Sequence, residues 1–421
     1  MAVYDPLLRL NTDTSIHSQK TARERLSSFI NDNHRLFNIE WGEGFPNHLV
    51  PVLLSLYDMG ASPERLQNVY NNMSSDLLRT RAPQIDIKDE NWTDFFGQKK
   101  YYREYLAFFD SCIDRMGIFP AFQHYFPILL PGCLGAAMHP LCHIAYGLEF
   151  KDALIVAEGL AYASIAYFSF GDMIEHGGNT KRGLCRDVLE MVRADKRFDG
   201  TFDGTFQGKW KVLLRSRESL LKIYLNHYGV QEEESAETIT AILHDLTKMA
   251  TYLLAATLPG PDTPSSSPPF TITQPSTFFT SETTKTTRHL DFFLAHAFLG
   301  IEAIHSVLPH LQVHDQTRLL RVYFVALLAT YIVQGRPAFH PELLLANASE
   351  NCSTPGRDDD WTRIVNEAIE SEDIHVPLLV RALLKARFKY PSESEVYLRG
   401  ALRMLEFIKT ERDWEVEGIG W

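Results

Sequence analysis

Apolar side chains recur at steps of three and four residues along most of the chain, which is the spacing of an amphipathic helix. A clear case runs from Leu49 to Tyr57 and is ended by Gly60. Residues 101–116 repeat the same spacing and stop at Gly117. Alternating apolar and polar runs, which are typical of strands, are scarce. The pattern therefore predicts an all-α protein.

Further helices are predicted at residues 140–174 (as two helices), 187–193, 208–228, 235–258, 289–308, 316–334, 361–370, 376–387 and 393–409. Between residues 259 and 287 the composition changes to Pro, Ser and Thr with few charges, which indicates a linker or a long surface loop. We therefore predict one bundle-like domain over residues 1–400. Its helical halves, 40–258 and 288–410, are joined by the loop 259–287 and surround an interior cavity.

Composition places the chain among ordinary globular proteins, with 45% hydrophobic and 22% charged residues. The net charge of −12 argues against nucleic acid or an anionic membrane as a partner. Uncharged apolar runs, at residues 159–170 and 322–333, are shorter than the roughly 20 residues that cross a bilayer. Five scattered cysteines without a Cys-x-x-Cys pair indicate reduced thiols. We expect a cytoplasmic protein with no nucleic-acid or membrane partner.

Two histidines four residues apart, His139 and His143, project from one face of a predicted helix. Pro140 suits the first position of that helix, where a missing N–H costs nothing. Two neutral imidazoles in an apolar wall are a reasonable beginning of a transition-metal site. The spacing alone also fits two hydrogen-bonded polar side chains near a helix start, because the glutamate of the zinc-protease signature is missing.

Three other histidines, His48, His296 and His375, share the apolar surroundings of this pair. A buried imidazole nitrogen without a partner costs about 1–3 kcal/mol, and a shared metal ion would satisfy histidines from several helices at once. The remaining histidines, among them His34 in a polar amino-terminal stretch, are interpreted as ordinary polar side chains. The chain contains no dinucleotide fingerprint, nucleophile elbow or phosphate-binding loop.

Six segments in chain order resemble the questin oxidase-like family, over a match from about residue 40 to about residue 400. They are Asn47-His-Leu, His139-Pro-Leu-Cys-His-Ile-Ala-Tyr-Gly-Leu-Glu149, Phe198-Asp-Gly200, Phe293-Leu-Ala-His296, Tyr331-x-x-x-Gly-Arg-Pro337 and His375-Val-Pro. The resemblance implies an oxygenase of secondary metabolism that opens or rearranges an anthraquinone-type polyketide. Some members are described as Baeyer–Villiger-type oxidases that consume NADPH, and others as non-haem iron dioxygenases.

The resemblance also implies which residues carry the chemistry. His48, His139, His143, His296 and His375 match the positions of the family's Fe(II) ligands and are the predicted catalytic residues, with O2 and an aromatic polyketide as substrates. Two alternatives stay open, namely a Baeyer–Villiger-type oxidase that uses NADPH without a bound metal, and a catalytically silent helical binding protein.

One position departs from the family pattern, in which the last motif continues His-Val-x-Lys with a lysine that becomes a ligand once carboxylated. This chain has Leu378 there. The next lysine on that helix face, Lys385, lies roughly 10 Å further along, which is too far for a side chain to bridge. We therefore expect either that another carboxylate completes the site or that metal binding is weakened.

Overall fold

The structure is a computed structural model that describes residues 16–42, 44–174, 182–200, 202–258, 290–345, 358–411 and 414–420. Within these ranges the prediction of an all-α fold is confirmed, since helices account for nearly all regular structure. The α-helices are α1 (Ile16–Leu36), α2 (Leu49–Asp58), α3 (Pro63–Ser74), α4 (Tyr102–Met116), α5 (Ile118–Leu129), α6 (His139–Phe150), α7 (Ala153–Ile165), α8 (Cys185–Ala194), α9 (Phe206–Tyr228), α10 (Ala236–Ala255), α11 (Phe292–Val307), α12 (Val313–Val333), α13 (Glu342–Leu345), α14 (Asp358–Glu370), α15 (His375–Lys389) and α16 (Ser394–Glu411).

A short hairpin connects α1 to α2. Its strands, β1 (Glu40–Trp41) and β2 (Phe45–Pro46), pair antiparallel. The residue after the hairpin, Asn47, donates its backbone N–H to the carbonyl of Ile39 at 2.8 Å, which fixes the direction in which the chain enters α2. The hairpin therefore orients the start of a helix that carries one of the candidate histidines.

The helix α7 is buried on all sides, because every residue from Ile155 to Ile165 is buried. It lies directly against α6 at two glycines. A Cβ on Gly147 would lie 2.7 Å from the backbone nitrogen of Val156, and one on Gly159 would lie 2.7 Å from that of Ile144. Real Cβ atoms do not approach so closely, so only glycine lets the two backbones meet here.

Four helices form a closed ring in the interior. The helix α11 packs against both α6 and α15, and α2 packs against the same two helices from the other side. This ring contains all five candidate histidines at or near its helix starts. The ring therefore decides where the candidate chemistry lies.

Two predictions fall partly or wholly outside the described residues. The Pro/Ser/Thr loop 259–287 lies among residues that the structure does not describe. The division into halves 40–258 and 288–410 stays a prediction for the same reason.

Among the residues that the structure describes, two helical stretches are long and apolar enough to cross a bilayer by length and composition, namely Phe292–His310 and Val313–Val333. Their most apolar windows are 72% and 89% buried inside the protein. Core helices of globular proteins have this character, so the two stretches are weak evidence for a membrane. The cytoplasmic location stays a prediction.

Candidate functional site

Four of the five candidate histidines meet inside the helix ring, and we call them the histidine cluster: His48, His139, His296 and His375. The Nε2 atoms of His48 and His139 are 2.9 Å apart. Ring centroids are separated by 4.7 Å between His139 and His296, by 5.0 Å between His48 and His375, and by 5.4 Å between His296 and His375. Candidate ligand atoms of His48, His296 and His375 all lie within 4.8 Å of one another.

Helix starts place these side chains. His48 is the residue before α2, and His139 and His375 are the first residues of α6 and α15. His139 follows three residues with positive φ, at 47°, 51° and 70° for residues 136, 137 and 138. Because none of the three is glycine, each left-handed conformation costs roughly 1–2 kcal/mol. The protein thus maintains a strained turn directly before one member of the cluster.

Each ring of the cluster has an oxygen acceptor at Nδ1. The acceptors are the carbonyl of Pro46 for His48 (2.8 Å), the carbonyl of Ala136 for His139 (2.7 Å), the carbonyl of Phe292 for His296 (2.7 Å) and the carboxylate of Asp373 for His375 (3.3 Å). Carbonyl and carboxylate oxygens only accept, so Nδ1 must carry the proton in each ring. In a neutral imidazole this leaves a lone pair on Nε2, the atom through which each ring can bind a metal.

Burial keeps three rings of the cluster, those of His48, His139 and His296, neutral. It lowers the pKa of His48 and of His139 well below the ordinary 6.5, and neighbouring histidines lower both further. Burial, with a contribution from His375, lowers the pKa of His296 to about 3. Neutral imidazole is the form that coordinates metals.

The orientation of the Nε2 atoms tests whether these residues fit a metal ion. Two lone pairs at 2.9 Å, on His48 and His139, repel each other unless a cation lies beside both. In the described residues the Nε2 atoms of His296 and His375 are buried without a hydrogen-bond partner. A transition-metal ion with bonds of about 2.1 Å brings two nitrogens to about 3 Å when the bonds are perpendicular. The cluster fits such an ion, and its nitrogen-only donor set suits iron, copper, nickel or zinc.

The fifth candidate, His143, lies apart from the cluster. Its Nε2 is 2.8 Å from a carboxylate oxygen of Glu158, which is fully buried. The other oxygen of Glu158 is 3.2 Å from Nδ1 of His34, and Nε2 of His34 is 3.1 Å from the carboxylate of Asp110. His143 also lines the cavity beside the cluster. Its role as a metal ligand stays a prediction, and its strongest contact is with a carboxylate.

Sequence reasoning missed this carboxylate network and treated His34 as an ordinary polar side chain. His34 is only 6% exposed. Burial by itself would lower the pKa of His34, but the hydrogen bonds that it donates to the carboxylates of Asp110 and Glu158 raise this pKa to about 9. A signal was available, because His34 follows Leu26 and Ile30 at steps of four residues and so lies on the buried face of α1.

A cavity of about 650 Å³, including its open mouth, adjoins the cluster. Part of its wall is apolar and includes Leu378, which is 4% exposed. Another part is ionic, since Nζ of Lys385 lies 2.6 Å from Glu302 and 3.0 Å from Glu149. Arg381 contacts the same Glu149 at 2.8 Å. Lys385 therefore reaches the cavity wall but is held by two carboxylates.

Comparison with known proteins shows which family and which relatives the chain resembles. The sequence profile of the questin oxidase-like family matches residues 45–383. A Baeyer-Villiger oxidase of Pestalotiopsis microspora is 30% identical over 173 residues, 38% of this chain and 37% of the relative. The oxidoreductase AflY of Aspergillus parasiticus is 22% identical over 394 residues, 87% of this chain and 73% of the relative.

A questin oxidase of Aspergillus terreus is 28% identical over 155 residues, 33% of this chain and 34% of the relative. The chain thus aligns with only about a third of the length of the Pestalotiopsis and A. terreus relatives. The family profile, in contrast, spans most of the 421 residues and includes the whole histidine cluster. The resemblance stated from the sequence is confirmed, and the chain belongs to the questin oxidase-like family.

Proposed function

We propose that this protein is an oxidoreductase that uses O2 to oxidise an aromatic polyketide at a metal ion, Fe(II), held by the histidine cluster. The observation that carries the proposal is the convergence of four imidazoles that each have an oxygen acceptor at Nδ1. The Nε2 atoms of His48 and His139 are 2.9 Å apart, and ligand atoms of His48, His296 and His375 lie within 4.8 Å of one another. The relatives support the oxidoreductase class, since they are named as oxidases, monooxygenases or an oxidoreductase.

A bound Fe(II) ion would supply the single-electron chemistry that O2 requires. The protein's own contribution is to hold four ligands in fixed orientations, because each ring is restrained at Nδ1 by a backbone carbonyl or a carboxylate. Such restraint keeps the donor atoms in place before the metal binds.

The cavity beside the cluster would receive the substrate. Its apolar wall, with Leu299 and Leu378, suits a flat aromatic ring and excludes water from the reacting atoms. His143 lines the same cavity, and among the described residues its Nδ1 has no hydrogen-bond partner. It can accept a proton from a phenol at that atom, because Glu158 at 2.8 Å from Nε2 stabilises the resulting imidazolium.

Metal analysis of the untagged protein tests the proposal. We expect about one iron per chain after anaerobic reconstitution, and a loss of at least about tenfold in occupancy for His48→Ala or His296→Ala. His143→Ala is the matched control and should keep its iron while losing turnover. A wild-type protein that binds no iron, or ligand variants that bind as much as wild type, would contradict the metal site.

A second candidate is a Baeyer–Villiger-type oxidase that uses NADPH without a metal. The names of several relatives favour it, and so does Leu378 at the position where the family pattern has a ligand lysine. The two candidate functions are separated by measuring O2 consumption with an anthraquinone substrate after the protein has been treated with a chelator. An unchanged, NADPH-dependent rate supports the second candidate, and loss of the rate with recovery on adding Fe(II) supports the first.

A further inference from the structure

The C-terminal segment, residues 414–420, contacts the helix ring from outside the range that the family profile matches. Glu415 exchanges two backbone hydrogen bonds with the start of α11: its N–H donates to Leu290 at 3.0 Å, and its carbonyl accepts from Phe292 at 2.8 Å. The N–H of Gly420 donates to the carbonyl of Gln334 at 3.1 Å. The segment is therefore attached at both ends.

Two glycines let it lie directly on the end of α12. A Cβ on Gly420 would be 2.2 Å from the carbonyl oxygen of Gly335. Gly418 has a φ of +103°, and a Cβ there would be 2.8 Å from the backbone of Gln334. Such close backbone contact requires residues without side chains.

One connection runs from this segment to His375. The indole N–H of Trp414 donates to one carboxylate oxygen of Asp373 at 2.7 Å. The other oxygen accepts from the backbone N–H of His375 at 2.8 Å and lies 3.3 Å from its Nδ1. Trp414 thus fixes the rotation of the carboxylate that holds the ring.

A second connection runs to His296 through the backbone of Phe292. The N–H of Phe292 donates to Glu415, and its carbonyl accepts from Nδ1 of His296 at 2.7 Å. The Phe292 ring also contacts both imidazoles, with centroids 4.4 Å from His296 and 4.9 Å from His375. The segment thus connects to His296 and His375, the two histidines of the cluster whose Nε2 atoms are buried without a hydrogen-bond partner in the described residues.

We propose that the C-terminal segment positions His296 and His375 for metal binding, with Trp414 and Asp373 as positioning residues. This inference rests on the proposed function, because it concerns the ligands of the same metal. Its physical basis is that a carboxylate or carbonyl on Nδ1 fixes both the tautomer and the angle of a ligating imidazole. Loss of such a partner lowers metal affinity by about 10–100-fold.

Co(II) titration of the metal-free protein, followed by visible absorption, tests the inference without an activity assay. Trp414→Phe keeps an aromatic ring and removes the N–H, and we expect about tenfold weaker Co(II) binding with an altered absorption band. Trp361→Phe is the matched control, since the buried indole of Trp361 has no hydrogen-bond partner in the described residues. Its affinity and spectrum should equal those of wild type.

Two further variants distinguish positioning from general stability. Asp373→Asn should weaken Co(II) binding like Trp414→Phe, whereas Trp414→His restores a ring N–H and should recover part of the affinity. A merely structural role predicts lower melting temperatures with an unchanged Co(II) spectrum, and that result would overturn the inference. If wild type binds no Co(II), the proposed function fails. If wild type binds Co(II), and both Trp414→Phe and Asp373→Asn bind it with the wild-type affinity, only the role of the C-terminal segment is refuted.

Discussion

Replacement of Glu158 by Gln would remove the charge at the centre of the carboxylate network beside the cavity. Glu158 is fully buried and accepts hydrogen bonds from His143 at 2.8 Å, from His34 at 3.2 Å and from Asn33 at 3.2 Å. Glutamine has the same shape but presents an N–H₂ group to donors on one side. The variant therefore removes the anion beside His143 and one of the two carboxylates beside His34, which keeps Asp110 at 3.1 Å.

The pKa of Glu158 gives the size of the effect. Burial alone would raise it, but hydrogen bonds from His143 and His34 lower it from 4.5 to about 2. At about 1.4 kcal/mol per pH unit, the carboxylate contributes on the order of 3 kcal/mol to folding. Removing one partner of a buried ion pair costs a similar amount, about 3–5 kcal/mol. We expect Glu158→Gln to lower the free energy of unfolding by about 3 kcal/mol.

The stability that Glu158→Gln loses should depend on pH. Because the folded pKa of Glu158 is lowered, its contribution is present above 4.5 and disappears as the pH falls toward about 2. The pKa of His34 is raised from 6.5 to about 9, so its contribution is present below 6.5 and disappears as the pH rises through about 9. The difference between wild type and variant should be largest between these limits, from about pH 4.5 to about pH 6.5.

Urea unfolding followed by circular dichroism measures this difference at about pH 5.5 and at about pH 9.5. The control is Glu218→Gln, whose side chain is 49% exposed in a surface pair with Lys222 and should change stability by less than about 0.5 kcal/mol. A loss below about 1 kcal/mol at pH 5.5, or an equal loss at both pH values, would refute the assigned charges.

Three further predictions concern the helix ring and its cavity. Arg381→Met removes the buried guanidinium that lies 2.8 Å from both Asp58 and Glu149, of which Glu149 keeps Lys385 at 3.0 Å, and should cost about 3–5 kcal/mol in urea unfolding; a loss no larger than that of a surface variant would contradict it. Gly159→Ala forces α6 and α7 apart, so it should lower the free energy of unfolding by about 1–3 kcal/mol and reduce the amount of bound iron. The control is Gly171→Ala, at an exposed glycine with a φ of +62° and no atom within 4 Å of an added Cβ, and it should leave the bound iron unchanged. Leu378→Lys should raise iron occupancy in the presence of bicarbonate, because a carbamate would add an anionic ligand; equal iron occupancy in wild type and Leu378→Lys would contradict it.

The sequence by itself determined the helical class and most helix positions. Helical spacing depends on residues three and four apart, so the local pattern was sufficient for α2 and α4. No helix is predicted from the sequence at α5, and Pro127 lies inside that helix, where proline is normally unfavourable. Apolar neighbours also singled out the four histidines of the cluster, since a polar side chain in an apolar run marks a buried position that needs a partner.

Only the tertiary structure decided which partner each polar group has. Glu158 joins His34 from α1 to His143 from α6, and Trp414 reaches Asp373 from the far end of the chain. Such contacts depend on how distant helices pack and on which rotamer each side chain adopts, and neither leaves a periodic signal in the sequence. His143 shows the difference most clearly. Its spacing from His139 left a shared metal and a pair of hydrogen-bonded side chains both open, whereas packing of α6 against α7 brings its Nε2 to a carboxylate.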